Sequence, residues 1–458
     1  MDIPAPPISR DVESILHGHP YRAIVRLAWP ATASMLLHTV FSVVNAIWVG
    51  HLGADPIAAV ISATFVVWIL QSLVVVLSTG IVAMVSRALG AGDRATARAI
   101  GEESLRFALL FAVVITVMGL WLRGPLFALM HLDWAVAALG KQYMAMYFLA
   151  APLIVFVEWS SGLFRASGNT RRPLMAMAAG IVLNILLDPL LIYGIGPFPR
   201  LGVVGAALAT AISYLVVSGI LLRFLRAGRL PFPLPLSLWG VMNWPRLGRL
   251  VMIGLPISIS NIVFSIVYLF VNRTTAHFGT ATVAALGIGN RIESVNYLFA
   301  YGFSIAAATL VGQNLGARNP ARAAELVRKT LLVVSAYTLV TSGLFIVFPR
   351  TIMHVFVDDP QVLEVGTHYV RILALSQIFM AWEIVLEGAF SGAGDTLPPM
   401  VVGIPGAVVR IPLAWLLAIG MGLGPDGIWW TITATSVVKG VALLIWFSLG
   451  RWQTRHVS

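Results

Sequence analysis

Long apolar stretches, separated by short polar ones, run along the whole chain of 458 residues. Each stretch is about twenty or more residues long, the length that an α-helix needs to cross the ~30 Å hydrocarbon core of a bilayer. The pattern predicts an all-α polytopic membrane protein with twelve transmembrane helices. Their predicted positions are 24–50, 57–86, 104–122, 142–164, 174–195, 203–225, 249–276, 283–313, 328–348, 366–391, 399–420 and 427–449.

The composition agrees with this prediction. Apolar residues make up 59% of the chain and charged residues only 11%, a balance that excludes a soluble domain. The absence of cysteine excludes disulfides, thiolate catalysis and Cys-ligated zinc. The first twenty residues lack an apolar core of the kind found in cleavable signals, so we expect the N-terminus to stay inside.

Lysine and arginine are distributed unequally between the two predicted sides of the membrane. With the N-terminus inside, 21 of the 30 lie in inner segments, 5 in outer loops and 4 within spans. Basic residues favour cytoplasmic loops. The net charge of +11 therefore indicates topology rather than nucleic-acid binding, with both termini cytoplasmic in a cell (inner) membrane.

The chain repeats itself at an offset of 226 residues. LAWPATAS at 27–34 matches IGLPISIS at 253–260, and LGAGDRATARA at 89–99 matches LGARNPARAAE at 315–325. Near the ends, GVVGAA at 202 matches GPDGIW at 424 after a gap of four. The repeat predicts two pseudo-symmetric six-helix bundles, with a binding site at their interface and alternating access. The predicted boundaries are a cytoplasmic tail 1–23, bundles 24–226 and 248–450, a cytoplasmic linker 227–247 and a tail 451–458.

Asn184 and Asp188 are polar residues four apart within the apolar stretch 174–195. They share one helical face, and Pro189 after them removes a backbone donor and so frees a carbonyl nearby. Acids inside a membrane are costly and usually functional. This face therefore predicts a proton or cation site, with helix capping or pairing with an arginine as the structural alternative.

Other intramembrane acids offer alternative ion-coupling sites. Glu293 is one, and Glu383 and Glu387 form a pair one turn apart. Two carboxylates so placed cannot both ionise easily, unless Arg371 or Lys439 neutralises them. For Glu158 we expect a structural role near Arg165. Arg410 aligns with Asn184 in the repeat, so we expect coupling in one half only.

Several motifs resemble the multidrug and toxin extrusion (MATE) family. They are GNTRRPLMAMAAGIVLNILLDPLLIYG from residue 168, LVGQNLGA from 310, GAGDTLPPM from 392, RIPLAW from 410, VGHLG from 49 and ALATAIS from 207. The resemblance covers essentially the whole chain after residue 21. It implies a secondary antiporter, not an enzyme, that exports bulky, often cationic drugs or metabolites in exchange for H⁺ or Na⁺ and needs no cofactor.

The resemblance also implies an ion site in the first half. Asn184 and Asp188 match its middle pair, Thr210 is the match on the sixth helix, and Asn45 stands where some branches have Asp. Amide oxygens still ligate hard cations, so Asp188 and Asn184 could hold Na⁺, but Asn45 cannot relay a proton. The alternative of Na⁺ or H⁺ stays open.

We expect the substrate cavity to be lined by aromatic residues and methionine, because flat cations bind aromatic faces and methionine adapts to varied shapes. The partners expected are a small-molecule substrate and the lipid bilayer, with no nucleic acid and no obligate protein partner. A flippase for a lipid-linked precursor is the alternative function, and a channel or a membrane-embedded enzyme is favoured less. The candidate cavity residues are Trp48, Phe65, Trp68, Gln71, Asn261, Tyr268 and Met380.

Overall fold

The computed structural model describes residues 10–130 and 132–455, apart from the side chains of Phe65 and Leu129. The parts of the two predicted tails at 1–9 and 456–458 lie outside the described residues. The helices in chain order are α1 (Arg10–Leu16), α2 (Pro20–Gly50), α3 (Ala54–Gly90), α4 (Arg94–Leu129), α5 (Trp134–Ala166), α6 (Arg171–Tyr193), α7 (Val203–Arg226), α8 (Trp244–Ala276), α9 (Thr280–Gly316), α10 (Pro320–Val347), α11 (Pro349–His354), α12 (Pro360–Ala374), α13 (Gln377–Ala393), α14 (Leu397–Val408), α15 (Arg410–Trp415) and α16 (Pro425–Ser448).

The predicted all-α membrane architecture is confirmed. Eleven of the described helical segments are long and apolar enough to cross a bilayer, and α12 with α13 makes a twelfth span, bent by 56° at its break. The repeat reappears in the helix starts, since α3, α4, α5 and α6 begin 226 residues before α9, α10, α12 and α14.

The chain forms two compact units. One contains the residues up to Ser14 together with Ala33–Met252, and the other contains Ile15–Thr32 together with the residues from Ile253 onward. In the first unit, the segment between α7 and α8 lies against α4, where Arg106 donates hydrogen bonds to the carbonyls of Ser237 and Val241. In the second unit, an apolar core is built from α9, α10, α13 and α16.

Two predicted spans, 104–122 and 328–348, are longer in the structure. α4 begins at Arg94 and α10 at Pro320, well before the apolar residues start. Each helix begins at a side-chain cap: Asp93 accepts from the Thr96 N–H (2.8 Å) and Asn319 from the Arg322 N–H (3.0 Å). Hydropathy marks only the part of a helix that lies in lipid, whereas the cap sets where the helix starts.

The tenth span, predicted as one stretch at 366–391, is broken between α12 and α13. The carbonyl of Leu373 accepts hydrogen bonds from the N–H and hydroxyl of Ser376, both at 3.0 Å, and from the side-chain amide of Gln377 at 3.3 Å. Side chains that insert into the helical ladder in this way cause kinks. The apolar pattern gives no sign of them.

The eleventh span also departs from a plain helix. α14 ends at Val408, four residues before Pro412, whose ring excludes the carbonyl four residues back. α15 then leads into a π-helical segment at Leu416–Gly420. In the first half, α6 continues through Pro189 to Tyr193 without a break.

The cap of α4 generates a prediction on stability and pH. The Thr96 hydroxyl and backbone N–H both donate to Asp93 and lower the pKa of its carboxyl below the usual value. Asp93→Ala should reduce the free energy of unfolding by about 1 kcal/mol near neutral pH. Because the folded pKa is lowered, this contribution is present above the unfolded pKa of about 3.9 and is lost as the pH falls through the folded value.

Asn319 caps the equivalent helix α10 without a titratable group and is the matched control. Asn319→Ala should therefore cost a similar amount at every pH. Melting of the detergent-purified variants at pH 7 and in acid measures both effects, and equal pH dependence in the two variants would contradict the assignment.

Candidate functional site: a buried carboxylate in the first half and a charged cluster in the second

Asp188 lies fully buried in the first unit, beside three other polar side chains. Its relative exposure is 0%, and Asn184 on the preceding turn of α6 is buried with it. Asn45 reaches the site from α2 and Thr210 from α7, and both are buried. The structure therefore brings together the four residues that the resemblance to the family selected.

Two amides donate to the same oxygen of this carboxylate. The Asn45 side chain donates to Asp188 Oδ2 at 3.3 Å. In the orientation that satisfies both its neighbours, the Asn184 amide donates to Asp188 Oδ2 at 3.0 Å and accepts from the Thr210 N–H at 3.1 Å. No salt bridge among the described residues includes Asp188, so the charge is compensated by amide dipoles alone, which makes its burial costly.

A small cavity adjoins this group. Its volume is about 30 Å³, enough for one water molecule or a small ion. Asn184 and Thr210 face it, so the cavity lies one side chain away from Asp188. The other lining residues are His38, Phe41, Met177, Gly180, Ile181, Ser213, Tyr214 and Val217.

The remaining acid of the first half, Glu158, forms an ion pair. Its carboxylate lies 3.1 Å from Arg165, and both side chains are partly exposed. A partly exposed pair of this kind contributes little to stability. The expected structural role of Glu158 agrees with this contact.

The candidate cavity residues of the first half occupy different surroundings. Trp48 packs edge-on against Tyr193, whose hydroxyl donates to the Trp48 carbonyl at 2.5 Å. Trp68 is exposed, and Gln71 hydrogen-bonds the buried Tyr147. The side chain of Phe65 lies outside the described residues. Their role in substrate binding stays a prediction.

The second half contains a cluster of charged side chains. Lys439 on α16 is buried and lies 2.7 Å from Glu383 on α13, and Glu387 is close enough to both to interact. Glu293 on α9 interacts with the side chains of Gln377 and Tyr369. Of the two neutralising residues considered for the Glu383–Glu387 pair, the structure selects Lys439, because Arg371 is exposed.

Arg410 is buried in the same half, with a relative exposure of 3%. Its guanidinium donates to the hydroxyls of Thr435 at 2.8 Å and Ser436 at 2.9 Å. It also lies 5.9 Å from the ring centroid of Phe264, within the range of a cation–π contact. Sequence reasoning selected Arg410 only by its alignment with Asn184. The two hydroxyls on α16 that bind it were missed, although their i, i+1 spacing within an apolar helix was a usable signal.

The candidate cavity residues of the second half are also dispersed. Tyr268 packs on Phe264 at 4.7 Å and hydrogen-bonds Arg410, so it belongs to the charged cluster. Asn261 is exposed, whereas Met380 packs against the core of this unit. No group of three or more His, Asp or Glu side chains that could hold a metal ion occurs within the described residues.

The family comparison matches both halves of the chain. A family model described as MatE covers residues 30–190 and 256–416, two segments related by the same offset of 226. The chain is 28% identical over 437 residues to a probable multidrug resistance protein NorM of Thermotoga maritima, covering 95% of this chain and 94% of that protein. It is also 28% identical over 445 residues to an FAD transporter of Shewanella oneidensis, covering 94% and 95%.

Solved structures agree with this assignment. An outward-facing multidrug resistance transporter of the MATE family superimposes with a TM-score of 0.90 at 25% identity, covering 98% of this chain and all of that one. A MOP-superfamily transporter of Pyrococcus furiosus, described as having a binding pocket of reversed polarity, gives the same TM-score, identity and coverage. Fold and comparisons together define a multi-pass membrane transporter of small molecules, rather than an enzyme. The chain belongs to the multidrug and toxin extrusion family.

The Lys439–Glu383 pair generates a prediction. Lys439→Met leaves a buried carboxylate uncompensated, and Glu383→Gln leaves a buried ammonium uncompensated. Removing one partner of a buried pair costs about 3–5 kcal/mol, whereas replacing both can be nearly neutral. The double variant should therefore melt close to the wild type in detergent, and each single variant well below it. Additive losses in the double variant would show that the two charges do not depend on each other.

Proposed function

We propose that this protein exports bulky, often cationic small molecules from the cell in exchange for protons, with Asp188 as the proton-binding group. It would lie in the cell (inner) membrane with both termini cytoplasmic, as the excess of lysine and arginine in the inner segments indicates. The observation that carries the proposal is a fully buried carboxylate with amide donors and no basic partner among the described residues.

The orientation of the amides favours a proton over Na⁺. Both Asn45 and Asn184 direct N–H groups at Asp188 Oδ2, which stabilises the ionised carboxylate and repels a metal ion from that oxygen. We assign the proton to Oδ1, the oxygen that neither amide contacts. Na⁺ binding would require the amides to turn their oxygens toward the ion, and this remains the alternative coupling ion.

Protonation would drive the transport cycle through the change in charge. With Asp188 ionised, the first half presents a negative charge that attracts a cationic substrate. Uptake of a proton from outside removes that attraction, so the substrate is released outward, and loss of the proton to the inside resets the protein. The proton can bias the two states only by its difference in affinity for them.

The substrate class follows from the relatives. Several are described as multidrug resistance or export proteins, including NorM of Thermotoga maritima and MepA of Staphylococcus aureus. A second candidate, export of an anionic dinucleotide, is favoured by the FAD transporter of Shewanella oneidensis and by the buried cations Arg410 and Lys439 of the second half. Efflux of ethidium and of FAD from proteoliposomes, under an imposed pH gradient and separately under a sodium gradient, distinguishes the two candidates and the two ions.

The proton-binding role of Asp188 predicts the behaviour of Asp188→Asn. The amide cannot titrate, so ethidium efflux driven by a pH gradient should fall to the level of protein-free liposomes. A neutral amide is less costly to bury than a charge, so the variant should stay folded with an unchanged or higher melting temperature in detergent.

Asp55→Asn, at an exposed position in the first turn of α3, is the matched control and should transport normally. Glu293→Gln tests the alternative site in the second half. Normal efflux by Asp188→Asn, combined with loss of efflux in Glu293→Gln, would move the coupling site to the second half.

A further inference from the structure

Arg410 stands in the second half where Asn184 stands in the first. We propose that the Arg410 guanidinium is a tethered cation, filling in the second half the position that corresponds to the small cavity beside Asn184. The second half would then be permanently loaded, and a free ion would bind in the first half only. The confinement of coupling to the first half rests on the function proposed above, whereas the tethered cation itself does not.

Close backbone contacts establish that the two positions correspond. A Cβ on Gly205 would lie 2.4 Å from the Leu191 carbonyl oxygen, and one on Gly427 would lie 2.7 Å from the carbonyl carbon of Leu417. Leu191 and Leu417 are 226 residues apart, whereas Gly205 and Gly427 are 222 apart. The helix pair α6–α7 therefore packs like α14–α15 with α16, with the gap of four falling between the helices.

A second pair of contacts lies at the level of the cavity. A Cβ on Gly180 would lie 2.3 Å from the Val217 side chain, and one on Gly406 would lie 2.5 Å from the Lys439 side chain. The same two offsets relate these residues. The correspondence thus holds on both sides of the position of Asn184 and Arg410.

The side chains that hold the guanidinium correspond to side chains that line the cavity. Thr435 and Ser436, which accept its hydrogen bonds, correspond to Ser213 and Tyr214. Phe264, whose ring lies near the guanidinium, corresponds to His38 in the lining of the cavity. The wall that surrounds the cavity in the first half therefore surrounds a guanidinium in the second.

The ion-binding pair itself is replaced by apolar residues in the second half. Asp188 corresponds to Ala414 and Asn45 to Val271, which are 1% and 2% exposed and belong to one apolar cluster. A free ion has no carboxylate to bind at that point. The charged groups that interact with Arg410 are Glu293 on α9 and Lys439 on α16, and Tyr268 on α8 hydrogen-bonds it. Arg410 therefore supplies the positive charge that Glu293 requires.

Chemical rescue tests the tethered cation directly. Arg410→Ala creates a space shaped for a guanidinium ion, so about 10 mM guanidinium chloride should raise the melting temperature of the detergent-purified variant by several degrees. Urea, which has the same shape without the charge, should not, and neither should sodium chloride at the same ionic strength. Arg350→Ala, at an exposed position, should not respond to any of the three.

A second set of variants covers the case in which Arg410→Ala does not fold. Arg410→Gln with Glu293→Gln removes both charges, and it should fold better than Arg410→Gln alone. Rescue by urea as strong as by guanidinium would overturn the proposal, because the site would then fill space rather than hold a charge. Equal stability of Arg410→Gln with and without the Glu293 substitution would overturn it as well.

The number of protons exchanged per ethidium molecule tests the confinement of coupling. Arg410→Lys, which keeps the charge, should retain the wild-type ratio, whereas Arg410→Gln should change it. An unchanged ratio in Arg410→Gln would overturn the confinement. If the wild type exports no ethidium, the function proposed above fails, while the melting experiments still decide whether Arg410 is a tethered cation.

Discussion

The burial of one carboxylate without a basic partner is the constraint on which the first half depends. Asp188 is held by amide dipoles from α2 and α6, and the orientation of the Asn184 amide is fixed in turn by the backbone of α7. Three helices therefore share the cost of one charge. A change in that charge alters the hydrogen bonding between all three helices at once, which gives a single proton a means of acting on the packing of the half.

The two halves share a backbone plan but solve the problem of buried charge differently. Helix starts and helix caps recur at an offset of 226, as Asp93 and Asn319 illustrate. The first half keeps a single deep acid, whereas the second combines Glu293, Glu383 and Glu387 with Arg410 and Lys439. A duplicated fold tolerates this divergence because backbone packing fixes the helices, and polar groups need only be satisfied locally.

Much of the fold could be predicted from the sequence because long apolar runs and an internal repeat are strong signals. The residues around Asp188 were selected by their resemblance to a family, and spacing alone placed only Asn184 on the same face. What could not be predicted depends on side chains acting on the backbone. Ser376 and Gln377 break a span by competing for the Leu373 carbonyl. The partner of Lys439, too, was one of several open possibilities until the helices were packed.

Glycines on α13 have a mechanical consequence for the second unit. A Cβ on Gly388 or Gly392 would collide with the carbonyl oxygens of Ser304 and Ala308, so the backbones of α13 and α9 touch without side chains between them. Such a seam leaves no room for sliding, and the two helices must move as one plate. The kink after Ala374 lies just before this plate begins. Compliance in that span is therefore concentrated in α12, which can act as a lever arm while the plate keeps its shape.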